Sequence, residues 1–119
     1  MTTAAGSRTL AHPEPGEITL EGVLHAFADP MRMRVVRDLA REEGAELSCS
    51  YFALPVSKST STHHFRVLRE NGVIRQIYRG TAKLSVLRRD DLDALFPGLL
   101  DAVLAAAARQ AERQTAAGS

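Results

Sequence analysis

The segment from Ser57 to Gly72 constrains the fold more than any other part of this chain. Ser57 suits the N-cap position of a helix, because its hydroxyl can accept a hydrogen bond from a backbone N–H that the first turn leaves free. Asn71-Gly72 suits the end of a helix, because both residues tolerate left-handed backbone angles. The sequence therefore predicts a helix that starts at Lys58 and ends near Asn71.

The predicted helix has two chemically different sides. Ser61, Phe65 and Leu68 fall on one face, with His64 at its border, and we expect that face to pack on the preceding helices. The other side carries short hydroxyls, a histidine and cationic groups: Lys58, Ser59, Thr62, His63, Arg66 and Arg69. This pattern indicates a helix that buries one face and leaves the other for a partner.

A β-hairpin is predicted directly after this helix. Residues 73–76 and 83–87 are rich in β-branched and aliphatic side chains, and they flank Tyr78-Arg79-Gly80-Thr81. We therefore expect two strands with Arg79-Gly80 at the tip of the turn.

Two helices and a short third one are predicted upstream. The first has an apolar stripe at helical spacing: Leu20, Val23, Leu24 and Phe27. Asp29-Pro30 then starts a helix over residues 30–41, with Asp as N-cap and Pro at the first helical position. We expect this second helix to bury Met33, Val36, Leu39 and Ala40 and to leave four arginines in solvent: Arg32, Arg34, Arg37 and Arg41. A short helix over residues 46–53 is predicted before Pro55.

The C-terminal part is predicted to be helical from residue 90. Its apolar stripe follows helical spacing over more than four turns: Leu92, Leu95, Phe96, Leu99, Leu100, Val103, Leu104 and Ala107. Pro97 cannot continue a helix without a clash, so we expect a short helix to about residue 96 and a longer one over residues 97–113. The predicted organisation is a flexible arm (1–16), one domain (17–114) and a disordered tail (115–119).

A pair of helices followed by a hairpin is the order of a winged helix-turn-helix. The expected fold class is therefore mainly α with a small β-hairpin wing. With 45% apolar and 24% charged residues, the composition is that of an ordinary soluble globular domain. Neither a membrane-spanning stretch nor an apolar signal segment is visible, so we expect a cytoplasmic protein without a membrane partner.

Charge is concentrated in one part of the chain. The net charge is only +1, but residues 56–89 hold eight of the fifteen basic residues and one of the fourteen acidic residues. Such a segment suits contact with a polyanion. Ser, Thr and His side chains can bond to base edges, Arg66 and Arg69 can reach phosphates, and Arg79 and Lys83 would carry positive charge on the hairpin.

Two segments resemble the ArsR/SmtB-type bacterial transcriptional repressors. Residues 27–36, Phe-Ala-Asp-Pro-Met-Arg-Met-Arg-Val-Val, are similar to the family's opening Leu-Ala-Asp-Pro-Thr-Arg-Leu-Arg-Ile-Leu. Residues 57–74, Ser-Lys-Ser-Thr-Ser-Thr-His-His-Phe-Arg-Val-Leu-Arg-Glu-Asn-Gly-Val-Ile, are similar to its recognition helix. The resemblance covers about residues 20–104.

The resemblance implies a homodimeric repressor that binds double-stranded operator DNA and leaves it when an inducer binds. By position, the residues that would face the operator are Ser57, Lys58, Ser59, Thr62, His63 and Arg66, with Arg79 in the wing. Two recognition helices related by a twofold axis would read an inverted repeat whose half-site centres lie about one helical turn apart.

The first and last helices would form the dimer interface. Their apolar stripes exceed what a three-helix core requires, although packing within one chain is the alternative explanation. The interface residues that we predict are Leu20, Leu24, Leu99, Val103 and Leu104.

The chain departs from the family at the positions where metal sensors hold their ions. The Cys-x-Cys pair on the helix before the recognition helix is replaced by Leu47-Ser48-Cys49-Ser50, and residues 97–119 contain no His or Cys. One thiol is too few for a three-thiolate site in a protomer. We therefore expect no metal site, no cofactor and an unknown inducer that is not a metal ion. Cys49 is a candidate redox sensor, with a buried structural cysteine as the alternative.

Two other functions remain open from the residues alone. His63 and His64 lie near serines, but adjacent helical residues cannot supply the third orienting group and oxyanion site that hydrolysis needs, so we do not expect an enzyme. A winged-helix module that binds an acidic protein partner, or DNA without sequence preference, is the alternative to a sequence-specific regulator.

Overall fold

Two short helices with well-formed N-caps open the described part of the chain. The structure is a computed structural model that describes residues 10–42 and 44–117. Helix α1 (Leu20–Phe27) starts at Thr19, whose hydroxyl accepts a hydrogen bond from the Gly22 N–H at 3.0 Å. Helix α2 (Pro30–Arg41) starts at Asp29, whose carboxylate accepts from two backbone N–H groups at 2.9 and 3.1 Å. The predicted start and length of α2 are confirmed.

The buried face of α2 differs from the predicted one at several positions: Ala40, predicted to be buried, and Arg37, predicted to be in solvent, are both half-buried. Val35, Val36 and Leu39 are buried, whereas Met33 is only half-buried. Arg32 is 7% exposed, so the prediction that it stays in solvent was wrong. Its guanidinium is buried because it has hydrogen-bond partners inside the protein.

The segment between α2 and Ser57 combines a strand and a helix. Strand β1 (Leu47–Ser48) and helix α3 (Cys49–Phe52) replace the single short helix that was predicted over residues 46–53. Helix α3 ends at Ala53, which has a left-handed φ of 46°. The Phe52 ring lies 5.4 Å from the Phe65 ring, so α3 is anchored to the next helix through the core.

Helix α4 (Lys58–Glu70) is the helix that the sequence predicted most strongly, and it is confirmed. The Ser57 hydroxyl accepts a hydrogen bond from the Thr60 N–H at 3.2 Å. Gly72 follows the helix with a φ of 80°, and Ile18 lies where a β-carbon on residue 72 would be. Glycine is therefore required here for both its backbone angle and its lack of a side chain.

The wing is a hairpin of strands β2 (Ile74–Arg79) and β3 (Ala82–Leu87). Arg79 pairs with Ala82, so the turn consists of Gly80 and Thr81, and Arg79 is the last residue of its strand. Gly80 has a φ of 64°, which fits the first central position of a type II′ turn. The predicted hairpin is confirmed, and β1 adds a third antiparallel strand, in the order β1-β3-β2.

An apolar core lies between these elements within the first of two compact units, Met1–Arg88. Its members come from α1, α2, α3, α4, the start of β2 and the segment before α1. They are Ile18, Val23, Ala26, Val35, Val36, Leu39, Phe52, Phe65, Leu68, Val73 and Ile74.

Residues 10–14 form an N-terminal strap along the outer edge of the sheet. The Gln76 N–H donates a hydrogen bond to Nε2 of His12 at 2.9 Å, and Arg88 donates one to the carbonyl of Pro13 at 2.9 Å. A 3₁₀ turn at Pro15–Glu17 then leads to α1. The predicted flexible arm therefore needs correction for these residues, while residues 1–9 lie outside the described part of the chain.

The second unit, Arg89–Ser119, consists of α5 (Arg89–Leu95) and α6 (Leu99–Ala117). The break that was predicted at Pro97 is confirmed. Leu100 is buried, whereas Leu99, Val103 and Leu104 are half-buried. Helix α6 includes residues 115–117, which were predicted to belong to a disordered tail; residues 118–119 lie outside the described range. Among the described residues, no helix combines the length and apolar character needed to cross a bilayer.

The strap makes folding stability depend on pH through His12. Burial lowers the pKa of His12, and the charges of Arg75, Arg69 and Arg88 lower it further, against the opposing effect of a hydrogen bond with the backbone of Leu10. Protonation would also remove the lone pair that accepts the Gln76 N–H. Because the unfolded chain then binds this proton more readily, the free energy of unfolding should decrease as the pH falls below about 6.5.

The variant His12→Gln tests this dependence, because a glutamine can place a neutral acceptor near the same position. Urea unfolding should be measured at about pH 7.5 and about pH 5.5. We expect the difference in unfolding free energy between the two pH values to be smaller in the variant than in the wild type. An equal pH dependence in both proteins would contradict the role assigned to His12.

Candidate nucleic-acid interface

Helix α4 presents one continuous polar side to solvent. Every residue of this helix and its N-cap that was predicted to face DNA is exposed, and the structure brings them together on one side: Ser57, Lys58, Ser59, Thr62, His63 and Arg66. On the opposite side, Phe65 and Leu68 are buried in the core. The short side chains at the start of this surface let another backbone approach the first turn closely. We call this set of six residues the outer face of α4.

The outer face offers both hydrogen-bond donors and acceptors. The Ser57 hydroxyl donates to the Thr60 hydroxyl at 2.9 Å while it caps the helix. The guanidinium of Arg66 lies 3.4 Å from Nδ1 of His63. Since arginine can only donate, Nδ1 of this histidine is the acceptor and Nε2 carries the proton. His63 therefore has an outward N–H donor, and guanine N7 and O6, adenine N7, thymine O4 and phosphate oxygens are suitable acceptors for it.

His64, the next residue, faces the interior and belongs to a buried polar network. Its Nδ1 lies 3.1 Å from a terminal nitrogen of Arg32, which must be the donor. The same guanidinium donates to the carbonyl of Ala26 at 2.8 Å and to that of His25 at 3.1 Å. Arg32 thus links the C-terminal end of α1 to the middle of α4.

Asp29 completes this network on the side of α2. Nε2 of His64 lies 3.7 Å from the Asp29 carboxylate. Burial acts to raise the pKa of Asp29, but the pKa is lowered overall by the Arg32 N–H, the His64 ring, the Met31 N–H and the Arg32 charge. The carboxylate therefore stays ionised while it caps α2 and faces His64. This network was not predicted from the sequence, because hydropathy alone cannot distinguish a buried arginine from an exposed one.

The wing brings the other two predicted DNA contacts close to the tip of the hairpin. Lys83 pairs with Tyr78 across the strands, and its ammonium lies 5.8 Å from the centre of the Tyr78 ring. Arg79 donates two hydrogen bonds to Glu46, from Nε at 3.2 Å and from Nη2 at 2.9 Å. This hydrogen-bonded carboxylate and its charge raise the pKa of Arg79. Glu46 was not among the predicted site residues.

Part of the positive segment lies away from this interface. Arg88 is buried and bonded to the strap, and Arg89 pairs with Asp93 and Asp101 within the second unit. Arg69 was predicted to reach a phosphate, but it is half-buried and donates to the side chain of Gln76 at 2.7 Å. The net charge of residues 56–89 is therefore larger than the charge on the surface that would contact DNA.

Cys49, the candidate redox sensor, lies at the start of α3 and is exposed. Partial burial of its sulfur raises the pKa of the thiol, and the charge of Lys83 offsets only part of this effect. A raised pKa lowers the thiolate fraction and with it the reactivity toward oxidants. Within residues 10–42 and 44–117, no group of three His, Cys, Asp or Glu side chains is placed to hold a metal ion.

Comparisons with known proteins assign this geometry to a class. Residues 27–77 match a family model described as a helix-turn-helix domain. The chain is 31% identical over 81 residues to the uncharacterized HTH-type transcriptional regulator YceK of Bacillus subtilis, which spans 66% of this chain and 80% of that protein. Two solved structures have the same fold. One is an ArsR family transcriptional regulator with 24% identity and a TM-score of 0.56, covering 84% of this chain and 97% of that one. The other is an ArsR-like transcriptional regulator from Rhodococcus sp. RHA1, with 23% identity and a TM-score of 0.54. This match covers 82% of this chain and 87% of that one.

The fold is therefore that of a winged helix-turn-helix protein, and the proteins it matches are DNA-binding regulators and not enzymes. The chain belongs to the HTH-type transcriptional regulators, and its fold is that of the ArsR-type members. The resemblance read from the sequence is confirmed.

The network around Arg32 predicts a large difference between two arginines of one helix. In Arg32→Met, the carbonyl of Ala26 and Nδ1 of His64 would lose the Arg32 donor in a buried place, while the carbonyl of His25 would keep the Ala28 N–H. We expect the free energy of unfolding to fall by about 2–4 kcal/mol. The matched control is Arg34→Met on the exposed side of α2, which should change it by less than about 0.5 kcal/mol.

Urea denaturation of the two variants beside the wild type measures both values. Equal and small losses in Arg32→Met and Arg34→Met would contradict a structural role for the buried guanidinium.

Proposed function

We propose that this protein is a homodimeric repressor that recognises a specific operator sequence and is released by an inducer other than a metal ion. The single observation that carries the proposal is the outer face of α4, where six polar side chains point to solvent opposite a fully buried apolar face. Acting on operator DNA, the protein would work in the cytoplasm.

Two kinds of contact can be separated on the outer face. Ser57, Lys58 and the free N–H groups of the first turn of α4 suit phosphate oxygens, because a helix N-terminus favours negative charge. Thr62 and His63 lie one turn further along, where a helix inserted in the major groove meets base edges. Arg66 carries a charge at the far end of this row and suits a flanking phosphate.

The wing would extend the contact beyond the major groove. Arg79 and Lys83 carry positive charge at one end of the hairpin, where the turn projects beyond the paired strands. Contacts from such a tip go to the backbone or the minor groove, where the electrostatic potential is negative. They add affinity and carry little information about sequence.

Dimerisation is supported by apolar surface on α1 and, separately, on α6. Leu20 and Leu24 are 42% and 44% exposed, and they are one turn apart on α1. The stripe of α6 is only half-buried at Leu99, Val103 and Leu104. When a second copy covers these large aliphatic side chains, apolar surface is removed from water, and this burial stabilises the dimer.

The inducer that we propose is an organic molecule. The positions at which the resemblance would place metal ligands hold Leu47-Ser48-Cys49-Ser50 and a last helix without His or Cys. A repressor of this design would occupy its operator until the inducer changes the equilibrium toward a conformation with lower affinity for DNA.

Selection of bound duplexes from a random-sequence pool tests the proposed function. The selected DNA should contain an inverted repeat with half-site centres about one helical turn apart. Binding of this duplex should weaken steeply with salt and still exceed binding of a scrambled duplex. Selected DNA without a common sequence would favour a module that binds DNA non-specifically, and no DNA retained at low salt would favour an acidic protein partner.

Substitutions at the proposed base contacts and at the proposed phosphate contacts should affect DNA binding differently. Thr62→Ala and His63→Ala should lower the preference for the selected duplex over the scrambled one by roughly 5- to 100-fold each. Lys58→Ala and Arg79→Ala should weaken both duplexes by similar factors. Gln114→Ala, on the exposed part of α6, is the control that should change neither. Fluorescence anisotropy measures all five variants, and identical behaviour of the two kinds would contradict the assigned roles.

A further inference from the structure

We propose that Glu46 sets the affinity of the wing for DNA by occupying, in the free protein, the donors of Arg79 that a phosphate would take in the complex. This inference rests on the proposed contact between the wing and the DNA backbone. It assigns to Glu46 a role that opposes binding to every DNA sequence to the same extent.

The geometry of the pair is that of a two-point ion pair. Nε of Arg79 donates to Oε1 of Glu46 at 3.2 Å, and Nη2 donates to Oε2 at 2.9 Å. The carboxylate therefore covers one edge of the guanidinium with both of its oxygens. Only Nη1 and the second hydrogen of Nη2 remain for another acceptor.

A carboxylate and a phosphate compete for the same edge of an arginine. Both anions take two parallel hydrogen bonds from the guanidinium, so the contact with Glu46 has the chemistry of the expected contact with DNA. A phosphate that takes this edge must displace the carboxylate. A phosphate that takes the remaining donors must sit near a negative charge. In both cases Arg79 contributes less to the affinity for DNA than it would in the absence of Glu46.

The position of Glu46 makes this exchange accessible. Its side chain is 35% exposed and that of Arg79 is 64% exposed, so solvent and DNA can reach the pair. Glu46 precedes β1, whose partner is β3, and Arg79 ends β2. The carboxylate thus comes from outside the hairpin. A pair at this exposure contributes little to folding stability, so its removal should leave the fold intact.

The variant Glu46→Gln tests the inference with a generic duplex of random sequence as the probe. We expect the affinity of the variant for this duplex to rise roughly two- to tenfold. The slope of log affinity against log salt concentration should steepen by up to about the value that corresponds to one phosphate contact. Glu42→Gln is the matched control, because Glu42 is also exposed and the change in net charge is the same. The control accounts for the general gain that follows from removing one negative charge.

A double-variant cycle with Arg79→Ala isolates the pair. In the Arg79→Ala background, Glu46→Gln should have no more effect than Glu42→Gln. An equal effect in both backgrounds, or a loss of affinity in Glu46→Gln alone, would overturn the inference while the wing contact stands. If Arg79→Ala itself leaves DNA affinity unchanged, the proposed contact of the wing fails, and the inference fails with it.

Discussion

The hydrogen bonds of Arg32 tie three helices, α1, α2 and α4, together inside the protein. One guanidinium, 7% exposed, joins the last carbonyls of α1 to Nδ1 of His64 in the middle of α4. Burial of a charged group is costly unless its donors are paired, and these three hydrogen bonds supply that pairing. They add a directional constraint to the apolar contacts of Phe65 and Leu68. Those contacts alone determine which face of α4 is buried, but they do not fix the exact rotation of the helix about its axis.

This constraint explains why two adjacent histidines have opposite surroundings. His64 accepts from Arg32 inside the protein, and the helical turn of about 100° per residue then directs His63 outward, where Arg66 holds its ring. The contacts that fix α4 in the protein are thus separated from the groups that we propose to contact DNA. Changes on the outer face of α4 can alter sequence preference without disturbing the core beneath it.

Local signals made much of this fold predictable from the sequence. The caps at Asp29 and Ser57 act over three residues, so the starts of α2 and α4 could be read directly. Strand β1 could not be read, because its two residues gain their conformation from pairing with β3, far away in the chain. The contacts of Glu46 and His12 could not be predicted for the same reason. Glu46 lies 33 residues from its partner Arg79, and His12 lies 64 residues from its partner Gln76. The outer face of α4 followed from helical periodicity, but the burial of Arg32 depends on carbonyls at the end of another helix.

In the proposed complex, the outer face of α4 enters the major groove of the DNA while the network of Arg32, His64 and Asp29 stays intact. Chemical-shift mapping of the ¹⁵N-labelled protein with a selected operator duplex measures this most directly. We expect the largest changes in the amides of residues 57–66, smaller changes in residues 79–83, and little change in the side-chain signals of Arg32 and His64. Large changes on the exposed part of α6, with the amides of residues 57–66 unaffected, would contradict it.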